Sequence, residues 1–439
     1  MIHHRNTRTI LFIVFIMILT TACSPVQAPT SNDPLVDQQQ SQSSDPLNVV
    51  PEKTSQDDQV IKIYLSADQT VSKSSGRAIE QGINVALSQV DWTIHGRPVE
   101  VVILDHKGSS PRAKQHLDDY LADDQALVVF SGLHSPPILE NMAFINENDI
   151  LMLDPWAAAG PITRYDSQEN WIFRLSVDDT KAGRYITEFA IGEGFTKPYL
   201  ILEDTGWGRS NQNTMTSALV DLERSHSGIE WFNWSLGINQ AKQILRQAKA
   251  SGADVIFFVG NAPEGKVFVE AMTQLDQKDR LPIRSHWGIT GGDFPQVINQ
   301  EMRSSVDLKF LQTSFSFVDL VDHPIATDVL KRAYDLYPNE LSQPEDIQAP
   351  TGFIHGYDLT LLMLEALDQV DPDLSTMEKR DALRLALENI NGPVQGLVKS
   401  YSRPFSVFSE GNLDAHEALG IDDLKMATYG PENEIRLEQ

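Results

Sequence analysis

The sequence predicts an α/β protein with two doubly wound lobes, and three observations support this class. Apolar runs of strand length alternate with amphipathic helical stretches along most of the chain, which is the pattern of parallel βα units. The runs are rich in branched and aromatic residues, as strands buried on both faces are. About 380 residues follow the first 58, which is too many for one doubly wound domain and suits two.

Four strand–helix pairs carry the alternation outside the central segment. In chain order they are Val60–Leu65 with Gly76–Val90, Val99–Leu104 with Ser110–Leu121, Pro198–Leu202 with Gly208–His226, and Val255–Val259 with Gly265–Leu275. A further helix is predicted over Gly352–Val370. Its apolar residues recur at helical spacing and predict a stripe packed in the core. The stripe consists of Phe353, Tyr357, Leu361, Leu364 and Leu367.

The segment from Ala126 to Arg164 says most about function. Two apolar runs, Leu127–Phe130 and Ile150–Leu153, each open directly into a loop of small residues. Between them, Pro136–Asn146 is predicted to be helical, because proline suits a first helical turn. Loops at the carboxyl ends of parallel strands face the ligand crevice. No nucleophile–base pair accompanies these loops, so the pattern indicates binding and not catalysis.

The amino terminus predicts export and lipidation. His3, Arg5 and Arg8 form a positive region, and the apolar stretch Ile10–Leu19 is too short for a membrane span, which needs about 20 residues. Small residues then precede Cys23, where a lipoprotein signal places its acylated residue. The alternative is an ordinary signal with an incidental cysteine. Since this is the only cysteine of the chain, an intramolecular disulfide is impossible.

Residues 1–22 are therefore predicted to be a signal peptide and residues 23–58 a disordered tether. The tether is rich in Gln, Ser, Pro and Asp, contains no aromatic residue and shows no apolar period. As a flexible coil, it would span roughly 30 Å. That length lets a lipid-anchored domain reach a membrane partner.

Composition and motifs exclude several classes of function. A net charge of −26 argues against binding nucleic acid or anionic lipid. The chain lacks the metalloprotease, phosphate-loop and serine-elbow motifs, and its histidines do not have metal-ligand spacing. We therefore predict no catalytic residues, no cofactor and no metal site.

Several loops resemble one family in their sequence, order and spacing. They are the Ser131–Ser135 loop, the Pro155–Gly160 loop, the Asp204–Gly208 turn and the Gly260–Glu264 loop. Together with their flanking strands and helices, they resemble type I periplasmic binding proteins. The resemblance is to the leucine/branched-chain amino acid class that serves ABC importers, and it covers nearly the whole mature chain.

The resemblance implies two Rossmann-like lobes joined by a hinge that the chain crosses three times. The crossings would lie near Val177–Asp178, Ser314–Ser316 and Lys399–Ser406. The first lobe would then comprise residues 59–177 plus 316–398, and the second 178–315 plus 399–439. Lobes of this kind close on their ligand about the hinge.

In the first lobe, the resemblance implies that the Ser135 hydroxyl holds a ligand carboxylate. The alternative is a helix N-cap, a position that serine favours. The family commonly has a hydroxyl residue in the next loop, where this chain has three alanines. Backbone groups of Ala157 and Ala159 are predicted to bind instead. The missing hydroxyl argues against an ordinary branched-chain amino acid as the ligand.

In the second lobe, Trp207 takes the place of a family aromatic residue that lies over the ligand. Asn261 replaces a further aromatic contact, and Trp287 and Thr290 belong to the next cleft loop. With Trp156 they predict an aromatic-walled pocket for an amino acid, amide, betaine-like or small aromatic compound. The alternative for each tryptophan is packing beneath the hinge.

The predicted function is that of a solute-binding lipoprotein that delivers its ligand to an ABC permease. One alternative is a receptor that signals to a membrane kinase or cyclic-nucleotide enzyme. Another is an outer-membrane lipoprotein that contacts a cell-wall synthase. The predicted location is the periplasmic side of the cell envelope, with the lipid in a membrane. Ser24 after the cysteine favours the outer membrane in a Gram-negative cell.

Overall fold

The computed structural model describes residues 60–438, except 168 and 319–322. The predicted export signal, Cys23 and the tether lie outside the described residues. Within the described part of the chain, no helix combines the length and the apolar character that a bilayer crossing requires.

A six-stranded sheet is built from the first part of the chain. Its strands are β1 (Ile61–Ala67), β2 (Thr93–Ile94), β3 (Arg97–Asp105), β4 (Ala126–Ser131), β5 (Met152–Asp154) and β6 (Ile172–Arg174). Their order across the sheet is β2-β3-β1-β4-β5-β6. All pair in parallel except the short edge strand β2, which is antiparallel to β3.

The remaining strands form a seven-stranded sheet and a separate hairpin. In chain order they are β7 (Pro198–Glu203), β8 (Gly228–Phe232), β9 (Val255–Val259), β10 (Ile283–Ser285), β11 (Leu308–Thr313), the hairpin strands β12 (Pro393–Gln395) and β13 (Ser400–Ser402), β14 (Leu424–Tyr429) and β15 (Ile435–Leu437). The sheet order is β15-β14-β11-β10-β9-β7-β8. Strands β7 to β11 pair in parallel, and β14 and β15 pair antiparallel at one edge. The predicted α/β class with two parallel sheets is confirmed.

Helices connect the strands and cover the sheets. They are α1 (Lys73–Leu87), α2 (Ser110–Ala122), α3 (Ser135–Leu139), α4 (Met142–Glu147), α5 (Asp179–Gly192), α6 (Gly206–Asp221), α7 (Ile238–Ala250), α8 (Ala262–Thr273), α9 (Phe294–Val297), α10 (Gln300–Ser304), α11 (Pro324–Leu336), α12 (Pro350–Leu367) and α13 (Thr376–Leu387). Two short 3₁₀ turns, Gly160–Thr163 and Trp287–Thr290, belong to loops at strand ends.

Helix α12 packs closely along α1. The close approach requires Gly82, because a Cβ there would collide with the carbonyl oxygen of Phe353. The helix is buried on nearly every side and not only along the predicted stripe. Leu361 and Leu364 of that stripe are only half-buried. A helix enclosed by neighbours on most faces has no single apolar face, which is why the stripe underestimates its burial.

Two predicted helices differ from the structure. The helix over Pro136–Asn146 is broken at Asn141, where the backbone leaves helical geometry (φ −107°, ψ 4°). The Asn141 amide donates to the carbonyl oxygens of Ser110 and Pro137 at 3.1 and 2.8 Å, which stabilises the break. Helix α6 ends at Asp221, before His226, because Glu223 adopts a left-handed conformation (φ 55°).

The return of the chain to the second sheet lies later than the predicted crossing near Lys399–Ser406. Phe405 and His416 pack on Phe173, with ring centroids 5.1 and 3.8 Å apart. Arg174 N donates to His416 O, and Ala418 N donates to Arg174 O, both at 2.9 Å. This segment therefore continues the first sheet beside β6. The chain enters the second sheet only with β14.

Candidate ligand-binding cleft

Loops from the carboxyl ends of both sheets meet around a cavity of about 270 Å³. The residues that line it are Leu133, His134, Ser135, Pro136, Trp156, Ala158, Glu203, Trp207, Asn261, Trp287 and Gly288. Five of the predicted site residues are among them. A larger cavity of about 540 Å³ lies elsewhere, against Phe315 and Phe317, and none of the predicted residues lines it.

Ser135 joins the two loops of the first lobe. It is the first residue of α3, whose N-cap position is held by His134, so the predicted capping role does not apply. Its hydroxyl oxygen accepts a hydrogen bond from Ala159 N at 3.2 Å. Ser135 lines the cavity and also fixes the position of the alanine loop.

The backbone groups of Ala157 and Ala159 are engaged within the protein. Asp154 Oδ1 accepts from Trp156 N and Ala157 N at 3.1 and 2.8 Å. Arg174 Nη1 donates to the carbonyl oxygens of Ala157 and Ala159 at 3.2 and 2.9 Å. Only Ala158 of the three alanines lines the cavity. Internal bonds therefore engage the backbone groups of Ala157 and Ala159, and their contact with a ligand stays a prediction.

Arg174 also anchors the loop to the later part of the chain. It is fully buried, and its guanidinium lies 2.5 Å from Glu417 Oε1 and 3.3 Å from Asp178 Oδ1. Arg164 pairs with the same Asp178 at 2.5 Å. These cations hold the pKa of the Asp178 carboxyl well below its usual range, although burial acts in the opposite direction. The network ties the alanine loop to the first crossing between the sheets.

Glu203 is a buried carboxylate in the wall of the second lobe. It ends β7, has an exposed fraction of 1% and accepts a hydrogen bond from Asn261 Nδ2 at 3.2 Å. Burial raises its pKa to about 7, partly offset by Trp234, His134 and Thr205. The sequence analysis missed Glu203, although an acid at the end of an apolar strand was a usable signal.

Three indoles line the cavity, as predicted. The rings of Trp156 and Trp287 meet edge to face, with centroids 6.4 Å apart. Trp207 Nε1 donates to Asp179 Oδ1 at 3.3 Å, and the same oxygen lies 2.9 Å from His286 Nε2. Asp179 thus positions Trp207 together with the loop that carries Trp287. It is the first residue of α5, directly after the first crossing.

Thr290 lies beside the cavity and does not line it. Its hydroxyl donates to Trp287 O at 2.8 Å and accepts from Gln312 Nε2 at 3.2 Å. The Thr290 hydroxyl therefore holds the Trp287 turn, and its contact with a ligand stays a prediction. Gly288 in this turn is required by space, because a Cβ would lie 2.7 Å from Asn261 Oδ1 and 2.8 Å from Trp207 Cη2.

His134 is a second lining residue that sequence reasoning missed. Its Nε2 lies 3.1 Å from Asp68 Oδ2, and its ring packs 5.4 Å from that of Trp234. Asp68 follows β1, so the contact joins two strand ends of the first sheet. Among the described residues, no group of His, Cys, Asp and Glu is arranged to hold a metal ion.

Two parallel-sheet lobes whose strand ends enclose one small cavity define a two-lobed solute-binding protein. Residues 63–404 match the periplasmic binding protein family, and the chain belongs to this family. The family resemblance seen in the loops is thereby confirmed.

Solved structures share the fold at low sequence identity. A type 1 periplasmic binding protein from Bordetella pertussis Tohama I is 18% identical, with a TM-score of 0.72 over 86% of this chain and 99% of that chain. An ABC transporter solute-binding protein from Rhodopseudomonas palustris HaA2, in complex with p-hydroxybenzoic acid, is 15% identical. Its TM-score is 0.70, and the match covers 87% of this chain and 96% of that chain. A leucine-binding protein from Thermotoga maritima MSB8 is 17% identical. Its TM-score is 0.67, and the match covers 86% of this chain and 98% of that chain. Among curated proteins, the comparison finds no match.

Proposed function

We propose that this protein captures a small solute in the cleft and delivers it to an ABC importer. The observation that carries the proposal is a cavity at which strand ends of both sheets meet. Closure of two lobes around such a cavity buries the ligand and changes the surface offered to a permease. No catalytic role is assigned to any residue.

The solved relatives support a small-molecule ligand. The fold is shared with proteins whose ligands include p-hydroxybenzoic acid and leucine. Their low identity to this chain supports a common architecture, while the lining residues of this cavity decide its own ligand. Contacts from Ser135, Trp156, Trp207, Asn261 and Trp287 are proposed on their position in the wall.

The hinge is proposed at three crossings between the lobes. The first lies at Val177–Asp178 and the second near Ser314–Ser316. The third is placed after Leu419, because residues 405–418 pack on the first sheet. The buried Arg174–Glu417 pair then belongs to the first lobe and stabilises the base of the hinge.

A lipid anchor at Cys23 is proposed to hold the protein on the periplasmic side of a membrane. The tether would let the cleft domain reach its permease. Replacement of Cys23 by Ala is expected to move the protein from the membrane fraction to the soluble envelope fraction. Continued membrane association of that variant would contradict the anchor.

A thermal-shift screen of the purified protein tests solute capture. The panel contains amino acids, amides, quaternary amines, purines and small aromatic acids. Ligand at about 100 times its dissociation constant adds roughly 2.7 kcal/mol to the stability of the folded state. Trp207→Ala is expected to abolish the shift, while Val220→Ala, an exposed site on the same helix, leaves it unchanged. A well-folded sample that responds to no compound would overturn the proposal in favour of a protein partner.

A further inference from the structure

The charged groups of the cavity wall are unevenly distributed. Glu203 and His134 are its only titratable lining residues, and no Lys or Arg lines it among the described residues. His134 already faces a carboxylate, Asp68, at 3.1 Å. Apart from His134, which is paired with Asp68, the wall therefore offers an acid and no basic side chain with which to balance it.

The surroundings of Glu203 do not supply the missing charge. The side chains that influence it are Asn261, Thr205, Trp234, His134 and a second buried acid, Glu264. Glu264 repels a charge on Glu203, and its own carboxylate accepts from Ser235 N at 3.0 Å. An ionised carboxylate without a cation is costly to bury. A positively charged ligand group would remove that cost.

The opposite wall is poorly equipped for an anionic ligand. The Ser135 oxygen accepts from Ala159 N, and the backbone groups of Ala157 and Ala159 are bound within the protein. The indole nitrogen of Trp156 is the one buried lining donor without a partner among the described residues. This N–H and the Ser135 hydroxyl, which can still donate its own proton, are neutral donors, and neither supplies a positive charge for a carboxylate.

The three tryptophans that line the cavity are a second feature that suits a cation. Indole is the strongest cation–π partner among the side chains, and quaternary ammonium ligands are recognised by aromatic cages. Methylated ammonium groups donate few or no hydrogen bonds, which suits a wall of three indoles with a single carboxylate.

We propose that the cleft selects a small quaternary or methylated ammonium compound. Its charge lies beside Glu203, and its methyl groups contact Trp156, Trp207 and Trp287. This inference rests on the proposed function, since it names the ligand class of the same cleft.

Isothermal titration calorimetry tests this selectivity with defined probes. The cations are tetramethylammonium and choline, the neutral isostere of choline is 3,3-dimethyl-1-butanol, and the acids are L-leucine and 4-hydroxybenzoate. Choline is expected to bind at least about tenfold more tightly than its neutral isostere, which corresponds to about 1.4 kcal/mol. Glu203→Gln is expected to remove this preference. Asp204→Asn, the same charge change at the adjacent residue outside the wall, is expected to keep it.

The pH dependence separates a direct charge contact from a structural role. Choline affinity is expected to increase from pH 5 to pH 8, because the cation binds the ionised form of Glu203. In Glu203→Gln the residual affinity is expected to be independent of pH over this range. A melting temperature at least equal to wild type confirms that the variant is folded.

The outcomes distinguish the inference from the proposed function. Tighter binding of leucine or 4-hydroxybenzoate than of both cations would overturn the cation inference and leave solute capture intact. Equal affinity for choline and its neutral isostere would also overturn it. Failure of every probe and of the wider thermal-shift panel would overturn both.

Discussion

Two buried acids end strands at the cleft, one in each sheet, and they serve opposite purposes. Asp154 ends β5 and Glu203 ends β7, and burial raises the pKa of each to about 7. Asp154 accepts from Ser131 Oγ at 2.8 Å and from two backbone N–H groups, with Arg174 nearby. Glu203 faces the cavity, where Asn261 donates to it at 3.2 Å.

The comparison shows that two buried carboxyl groups with similarly raised pKa values have different surroundings. The Asp154 side chain points toward its own loop, where its carboxylate holds the backbone N–H groups of Trp156 and Ala157 in the wall of the first lobe. Glu203 lies in the cavity wall and accepts from a residue of the same lobe, Asn261. The acid of the first wall therefore holds its own loop, and the acid of the second wall faces the cavity.

Removal of the Arg174 guanidinium is expected to cause the largest loss of stability. Arg174→Met leaves Glu417 and Asp178 buried without this partner and frees the carbonyl oxygens of the alanine loop. We expect a loss of about 3–5 kcal/mol in the free energy of unfolding, measured by urea denaturation. The matched change at Arg184, which forms exposed ion pairs, is expected to cost less than about 1 kcal/mol. Similar losses for the two variants would contradict the role of the buried network.

Truncation of Asp154 tests whether that acid is structural. Asp154→Ala leaves the N–H groups of Trp156 and Ala157 buried without their acceptor. The expected loss of stability is roughly 3 kcal/mol. Asp118→Ala on the exposed face of α2 is the control and should change stability by less than about 1 kcal/mol. An unchanged melting temperature for Asp154→Ala would show that the loop does not depend on this carboxylate.

The pH dependence of stability without ligand distinguishes Glu203 from its surroundings. Its folded-state pKa, about 7, lies above the ordinary value of 4.5, so its contribution to stability is complete below pH 4.5 and is lost as pH rises through 7. Between pH 5 and pH 8 wild type is expected to lose about 2 kcal/mol more than Glu203→Gln. Asp154 and Asp358 also have raised pKa values but are common to both proteins, so they cancel. Parallel pH profiles would rule out a buried titrating Glu203.

Ser135→Ala is expected to have the smallest effect on stability. It removes one hydrogen bond, from Ala159 N, and should cost about 1 kcal/mol in the free energy of unfolding. Ser304→Ala, which removes an exposed hydroxyl on α10, is the control with a smaller expected change. A loss in ligand affinity much greater than the loss in stability would instead establish a direct contact with ligand.

The sequence predicted the elements and much of the wall, because local patterns encode both. Strand β9 has the predicted bounds, and β4 extends one residue beyond its prediction at each end. Trp156, Trp207 and Trp287 come together at the cavity because each follows a strand, and parallel strands bring their carboxyl ends to one edge. The break at Asn141 was not predictable, since it depends on a hydrogen bond to Ser110 on another helix.

By itself the sequence determined the α/β class, the strand-end loops and the aromatic character of the cleft. These follow from the spacing of apolar residues and from the loops placed next to them. Tertiary structure decided which polar groups remain available. Arg174 and Asp154 satisfy the alanine loop, Thr290 supports a turn, and Glu203 enters the wall. The physical reason is that burial and hydrogen-bond partners come from residues distant in the chain, such as Glu417 beside Arg174.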